Sequence, residues 1–363
     1  MPLRTVSGNH AAPCKGRGAT SNPEGRFEQV TREAFDDGWA RADEDGPPAP
    51  ATVVTEERAK SIIARNDSPD VPFTQSINPY RGCEHGCVYC YARPSHAFLN
   101  LSPGLDFETR LFAKVNAAEV LRAELARPGY VCEPIALGAN TDPYQPIERE
   151  YRITRSVIEV LAAHDHPLTI VTKNALVERD LDLLAPLAEK RLVRVFLSIA
   201  TLDHDVARHM EPRTSAPRRR LETVRRLAAS GVPTAVIVAP VVPFLTDHDI
   251  ERVLAEAAQA GATSAGYVLL RLPFEVKGIF EKWLAARFPL RAAHVMSRVH
   301  AMRDGRANDP QFGSRMKGTG RFAELLGQRF ERAASRLGLD RDRPPLETKL
   351  FRRPGARPQL ELF

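Results

Sequence analysis

The feature that most constrains this chain is an alternation, from Val71 onward, of short apolar runs with longer amphipathic stretches. The pattern predicts strands at 74–78, 134–138, 168–172, 193–199, 234–239 and 266–270. Helices are expected at 116–126, 152–163, 178–190, 217–230, 248–260 and 275–286, and an extra strand at 107–113. Apolar strands of about five residues separated by helices imply a parallel sheet covered on both faces, with right-handed crossovers. Six such units suit an open, partial (β/α)6 barrel better than a closed eight-stranded one. In either case chemistry belongs at the C-terminal ends of the strands.

Around this α/β body the chain divides into an irregular leader (1–70), the barrel (71–289), a helical extension (290–340) and a flexible basic, Pro-rich tail (341–363). The leader carries KGRGATSNPEGRF at 15–27, an acidic stretch at 36–45, and Pro47, Pro48 and Pro50. Lacking helical or strand period, it either wraps the body or stays mobile. The extension should form helices at 290–302 and 321–337. In the second, Phe322, Leu325, Leu326, Phe330, Ala333 and Leu337 share a face for docking.

Composition excludes several classes. With 43% hydrophobic and 26% charged residues, the chain is not wholly disordered. Its longest apolar run, 235–245, is interrupted by Pro240 and Pro243 and too short to span a bilayer. No apolar core of a secretory signal stands at the N-terminus, so a reduced, cytoplasmic setting is expected. The net charge of +6 is confined to residues 306–363, where 13 Lys and Arg face 7 Asp and Glu. A basic tail on a neutral body suits an anionic partner such as nucleic acid, although arginine-rich surfaces are also common without one.

Three of the five cysteines, Cys83, Cys87 and Cys90, fall in NPYRGCEHGCVYCYARPSH, directly after the first predicted strand. C-x3-C-x2-C spacing in a short loop can bring three thiolates onto one metal cluster, with Gly82 and Gly86 relaxing the backbone around it. Three ligands on a four-iron cubane leave one iron open for chemistry. A zinc site completed by His85 or His96 is the rival. Cys132 reads as a small core hydrophobe and Cys14 as an incidental exposed thiol.

The loop resembles that of the radical S-adenosylmethionine superfamily, whose motif is C-x3-C-x2-C with an aromatic residue before the last cysteine. Within it, residues 71–280 most resemble the spore photoproduct lyase and DNA repair photolyase-like branch. The resemblance implies a partial (β/α)6 barrel and a [4Fe–4S] cluster on Cys83, Cys87 and Cys90. It also implies reductive cleavage of S-adenosylmethionine to a 5′-deoxyadenosyl radical that abstracts a substrate hydrogen. A flavodoxin- or ferredoxin-like electron donor comes with it, as does a nucleic-acid or nucleotide substrate. The alternative is a non-catalytic zinc- or iron–sulfur-binding module that docks on nucleic acid.

The predicted strand ends supply the remaining candidates. By position Asn140, Thr141 and Asp142 replace the glycine-rich segment that receives the cofactor's amino group in the superfamily. Lys173, at the end of an apolar strand, is costly to bury unless it meets an anion, for which the cofactor carboxylate is suited. By resemblance Lys173 and Ser198 fall where related lyases contact the cofactor, and the Tyr89 backbone lies against its adenine. Thr201, Asp203, Glu211, Arg213, Asp247 and Arg271 fall on the same edge. Asp142 before Pro143, and Asp247 before a helix, read equally as turn and cap residues. Ala139 stands where the spore photoproduct lyases carry a hydrogen-donor cysteine, so direct reversal of the spore photoproduct is not expected.

The chain ends in Gln359, Leu360, Glu361, Leu362 and Phe363. This pentapeptide resembles the Q-L-x-L-F peptide by which many bacterial replication and repair proteins grip the DNA sliding clamp. Its three apolar residues would equally serve as a plug or short strand folded back on the barrel.

Overall fold

The structure is a computed structural model that describes residues 14–27, 50–341 and 343–355. The acidic stretch at 36–45, Pro47, Pro48 and the Gln359–Phe363 pentapeptide lie outside the described residues.

Among the described residues ten strands form two sheets: β1 (Val53–Glu57), β2 (Ile63–Arg65), β3 (Gln75–Ile77), β4 (Tyr80–Arg81), β5 (Arg110–Lys114), β6 (Ile135–Leu137), β7 (Leu168–Thr172), β8 (Val193–Ser198), β9 (Thr234–Val241) and β10 (Ser264–Leu269). The larger sheet has the order β10-β9-β8-β7-β6-β3-β2. From β3 to β10 every pair is parallel, with Leu168 opposite Val193 and Thr172 opposite Leu197. These six parallel strands are the open (β/α)6 barrel. Period-two burial drives their formation: Leu168 and Ile170, then Val193, Val195 and Leu197, are wholly buried. Helices Ile153–Ala163, Leu181–Glu189, Pro217–Ala229 and Ile250–Gln259 return the chain between strands. Each turns an apolar stripe inward, as with Val157, Ile158, Val160 and Leu161.

The described part of the leader is more ordered than its composition suggests. β1 pairs in parallel with β5, and β4 pairs antiparallel with β5, making a small second sheet. β2 extends the barrel beyond β3 as an antiparallel strand. The signal was weak because these strands are short and largely exposed.

At the other edge the helix Gly320–Arg336 covers β10, with Phe330 against Tyr267 at 4.7 Å between ring centres. Leu326 and Phe330 lie inward as expected, but Leu325 is exposed. Helices Val276–Arg287 and Pro289–Ala301 build a second core from Phe280, Trp283, Val295 and Val299. Val88, Tyr89 and Cys87 belong to that core, so the extension buttresses the cysteine loop.

Residues 343–355, expected within a mobile tail, lie instead along the foot of the barrel. The amide of Glu347 donates to Arg191 O at 3.0 Å and that of Arg352 to His164 O at 2.9 Å. The Phe351 ring packs on Tyr130 and His166. No helix among the described residues is long and apolar enough to cross a membrane.

Candidate active site

The cysteine loop leaves β3 and β4 and is fixed from both sides. The amide of Cys83 donates to Phe107 O at 2.8 Å, that of Cys90 to Cys87 O at 3.2 Å, and that of Val88 to Met210 O at 3.0 Å. Gly82 has φ +74°, and a Cβ there would come within 2.6 Å of the Leu111 side chain, so the tight turn needs glycine on both counts. Cys83 and Cys87 are buried and Cys90 half-buried. Burial pushes the Cys83 and Cys87 thiols well up.

Among the described residues no three His, Cys, Asp or Glu side chains are gathered to hold a single metal ion. The two histidines proposed for zinc are engaged elsewhere. His96 Nε2 lies 2.9 Å from Arg110 O, with its ring edge-on to Phe107. His85 is enclosed, with Nε2 3.1 Å from Asn174 Nδ2 and Nδ1 facing Asp142 Oδ2 at 3.3 Å, misaligned for a hydrogen bond.

The strand ends converge on this loop. Lys173 follows β7, its amide donating to Asp142 Oδ2 at 2.8 Å and its Nζ 6.0 Å from the centre of the Tyr89 ring. It forms no ion pair among the described residues. Burial works to lower the Lys173 ammonium, but the sites of Cys87, Glu211 and Asp142 outweigh it and hold it above its ordinary value. Asp142 is saturated: besides the Lys173 amide it accepts from Thr172 Oγ1 at 2.7 Å and the Tyr144 amide at 2.9 Å. Burial opposes its charge, yet His85 and these donors bring its carboxyl down to about 2. The turn reading describes how its side chain is used.

Thr141 is buried, its hydroxyl donating to Tyr80 O at 2.8 Å. The amides of Asn140 and Thr141 both donate to Asn78 Oδ1, while Asn140 itself is exposed. Ser198, at the end of β8, is buried and donates to Ala239 O at 3.1 Å. The Tyr91 hydroxyl, one residue past Cys90, donates to Ala139 O, and the Arg271 guanidinium stands 5.7 Å over that ring. Arg271 Nε is buried without a hydrogen-bond partner among the described residues. Asp203 serves as a helix cap, accepting from the amides of Asp205 and Val206.

Two buried ion pairs behind the site were not anticipated. Glu211 accepts from the Tyr89 hydroxyl and pairs with Arg220, fixing the aromatic residue before the last cysteine. Arg220 also donates to Ser198 O at 2.6 Å and Ser215 O at 2.7 Å. Its signal was present, since 217, 220, 221, 224 and 227 form the apolar stripe of its helix and an arginine there must turn inward. The pair Arg93–Glu108 lies in irregular chain, where no periodicity could announce it. A groove of about 360 Å³ between Arg194, Gly231, Pro233 and Pro344 lies at the opposite, N-terminal end of the strands, away from the cysteines.

A profile of the Radical SAM superfamily matches residues 77–257. An uncharacterized protein of Mycobacterium tuberculosis is 43% identical over 221 residues, covering 60% of this chain. The chain spans only 65% of that relative's length. An uncharacterized protein of Methanocaldococcus jannaschii is 26% identical over 199 residues, covering 55% of this chain and 71% of its own. Among solved structures, spore photoproduct lyase complexed with dinucleoside spore photoproduct superposes with a TM-score of 0.55 at 19% identity, covering 78% of this chain and 79% of that one. That likeness is one of fold.

Proposed function

The chain belongs to the Radical SAM superfamily through residues 77–257, and on that premise we propose that it holds a [4Fe–4S] cluster on Cys83, Cys87 and Cys90 and cleaves S-adenosylmethionine reductively. The observation that carries the reading is a loop presenting three sulfur donors beside a lysine that has no ion-pair partner among the described residues. The donor set fits. A cubane takes one thiolate per iron, so its ligands need not converge on a single ion, as a tetrahedral zinc site requires. When bound, such a cluster with one iron open supplies the electron that splits S-adenosylmethionine into methionine and a 5′-deoxyadenosyl radical for hydrogen abstraction.

The chain's own residues bind and orient. Lys173 offers a cation to the cofactor carboxylate, and exposed Asn140 offers its side-chain amide. Thr141, Asp142 and Ser198 have committed their side chains to the fold, so they act by fixing the backbone that lines the site. Tyr89, held through Glu211, forms a rigid wall. Nucleic acid or a nucleotide is the leading substrate class. It is supported by the basic C-terminal region and by the shared fold with a lyase solved in complex with dinucleoside spore photoproduct. A flavodoxin- or ferredoxin-like protein would be the electron donor, and the setting cytoplasmic.

Anaerobic reconstitution with iron and sulfide tests the proposal. A brown protein that releases 5′-deoxyadenosine from S-adenosylmethionine under a strong reductant is expected, with turnover raised by the right oligonucleotide or nucleotide. A colourless, zinc-loaded protein would overturn it in favour of the docking module.

A further inference from the structure

Residues 14–27 lie against the cysteine loop through a set of buried polar contacts. Gly18 meets Gly86 so closely that a Cβ on Gly18 would stand 1.8 Å from Gly86 O. Wholly buried Glu108 accepts from the amides of Gly18 at 3.0 Å and Ala19 at 2.8 Å, and pairs with Arg93. Arg93, also wholly buried, donates to Cys87 O at 2.9 Å and to Pro103 O and Gly104 O. Arg17 donates to Glu108 O at 3.0 Å and to Thr52 Oγ1 at 3.0 Å, and Thr52 donates to Glu84 Oε1 at 2.6 Å. One hydrogen-bonded network therefore runs from the leader to Cys87 O and to the residue after Cys83.

The other end of the segment reaches across the barrel. Asn22 and Asp106 exchange hydrogen bonds at 2.9 and 3.0 Å, and Ser102 donates to Pro23 O at 2.6 Å. Arg26 then pairs with Glu275 at 3.0 Å and lies 3.8 Å over the Phe274 ring. Glu275 follows β10 and the cysteine loop follows β3, the last and first of the six parallel strands. The segment thus spans the gap at the rim where the barrel does not close.

We propose that residues 17–26 are a clasp that positions the cysteine loop for its cluster and shields it by tying the two sides of the open barrel together. This rests on reading Cys83, Cys87 and Cys90 as cluster ligands. None of the clasp residues is one of the three cysteines. They act through Arg93 and the loop backbone, as outer-shell partners of metal sites do, and losses of about tenfold follow when such partners are removed.

The test uses the full chain, reconstituted anaerobically, and reads iron content, bleaching of the visible absorption in air, and proteolytic cleavage within the leader. Gly18→Ala should lower bound iron or speed bleaching about tenfold. Arg26→Glu, at the far end and away from the cysteines, should take up full iron yet bleach faster and be cut sooner. Adding Glu275→Arg should restore slow bleaching. Wild-type loading and bleaching in both single variants would overturn the clasp alone. A wild-type chain that takes up no iron would overturn the cluster reading and the clasp with it.

Discussion

Lys173 stands with its ammonium 6.0 Å from the centre of the Tyr89 ring, joining the end of β7 to the residue between two candidate ligand cysteines. The ring cannot swing away, because its hydroxyl is held by Glu211 and Glu211 by Arg220. At that separation a cation–π contact is at the edge of its range and weak. Tyr89 therefore orients the lysine without neutralising it. A partly buried cation kept charged by nearby carboxylates, yet in direct contact with none among the described residues, has its donors free for an incoming anion.

Lys173→Ala should weaken S-adenosylmethionine binding by about 1.5–3 kcal/mol, the worth of a charge-assisted contact, or roughly ten- to hundredfold in affinity. Iron content should not change, since no ligand is touched. Titration calorimetry on the reconstituted protein checks it, and unchanged affinity with intact iron would remove this role.

Cys87→Ala should abolish bound iron and 5′-deoxyadenosine formation while leaving circular dichroism unaltered. Cys14→Ala and Cys132→Ala should keep full iron, because neither belongs to the loop and both are only half-buried. Iron assay of the three variants decides, and full loading of Cys87→Ala would refute the ligand assignment.

Arg220→Ala should destabilise the fold by about 3–5 kcal/mol, because it strands Glu211 as a buried, unpaired carboxylate. Both partners are almost wholly buried, with side chains 1% and 2% exposed, so solvent cannot compensate. Burial alone would raise the Glu211 carboxyl, and Arg220 leads the groups that hold it below its ordinary range. Glu211→Gln with Arg220→Met, which removes both charges, should recover much of the loss. Urea unfolding of the three proteins is the measurement, and a shift below about 1 kcal/mol in Arg220→Ala would show that Glu211 is not left as a buried, unpaired carboxylate.

The barrel could be read from sequence because its strands are short, β-branched and apolar with alternating burial, as in Leu168–Thr172 and Val193–Ser198, and are separated by helices of apolar stripe. Of the small sheet only β5 was legible, as the extra strand expected at 107–113, because β1 is polar and largely exposed and β4 has two residues. The cysteines announced themselves by spacing alone. What supports them did not: Glu108 meets Gly18 and Ala19 at separations of 90 and 89 residues, and nothing local marks such a pairing. Asp142 reads as a site residue by position, yet its oxygens are spent on Thr172, Lys173 and Tyr144, which only the folded register reveals.

The foot of the barrel should make stability depend on pH. His166 is wholly buried there, with Nε2 2.7 Å from Tyr130 Oη, Nδ1 2.9 Å from Pro167 O and the Phe351 ring edge-on at 5.2 Å. Burial, with a smaller push from His164, brings its pKa down from 6.5 to about 4. The folded state thus resists a proton that the unfolded chain accepts. Stability from the neutral imidazole is complete above pH 6.5 and declines as pH falls towards 4. The loss should approach about 3 kcal/mol, since each tenfold difference in proton affinity between the folded and unfolded chain is worth about 1.4 kcal/mol. His166→Phe should flatten that slope, and the variant leaves Tyr130 satisfied because its hydroxyl also reaches Gln75 Oε1 at 2.8 Å. Denaturant midpoints taken between about pH 7 and 4.5 decide. A wild-type slope no steeper than that of His166→Phe would mean that His166 binds its proton as readily in the folded as in the unfolded chain.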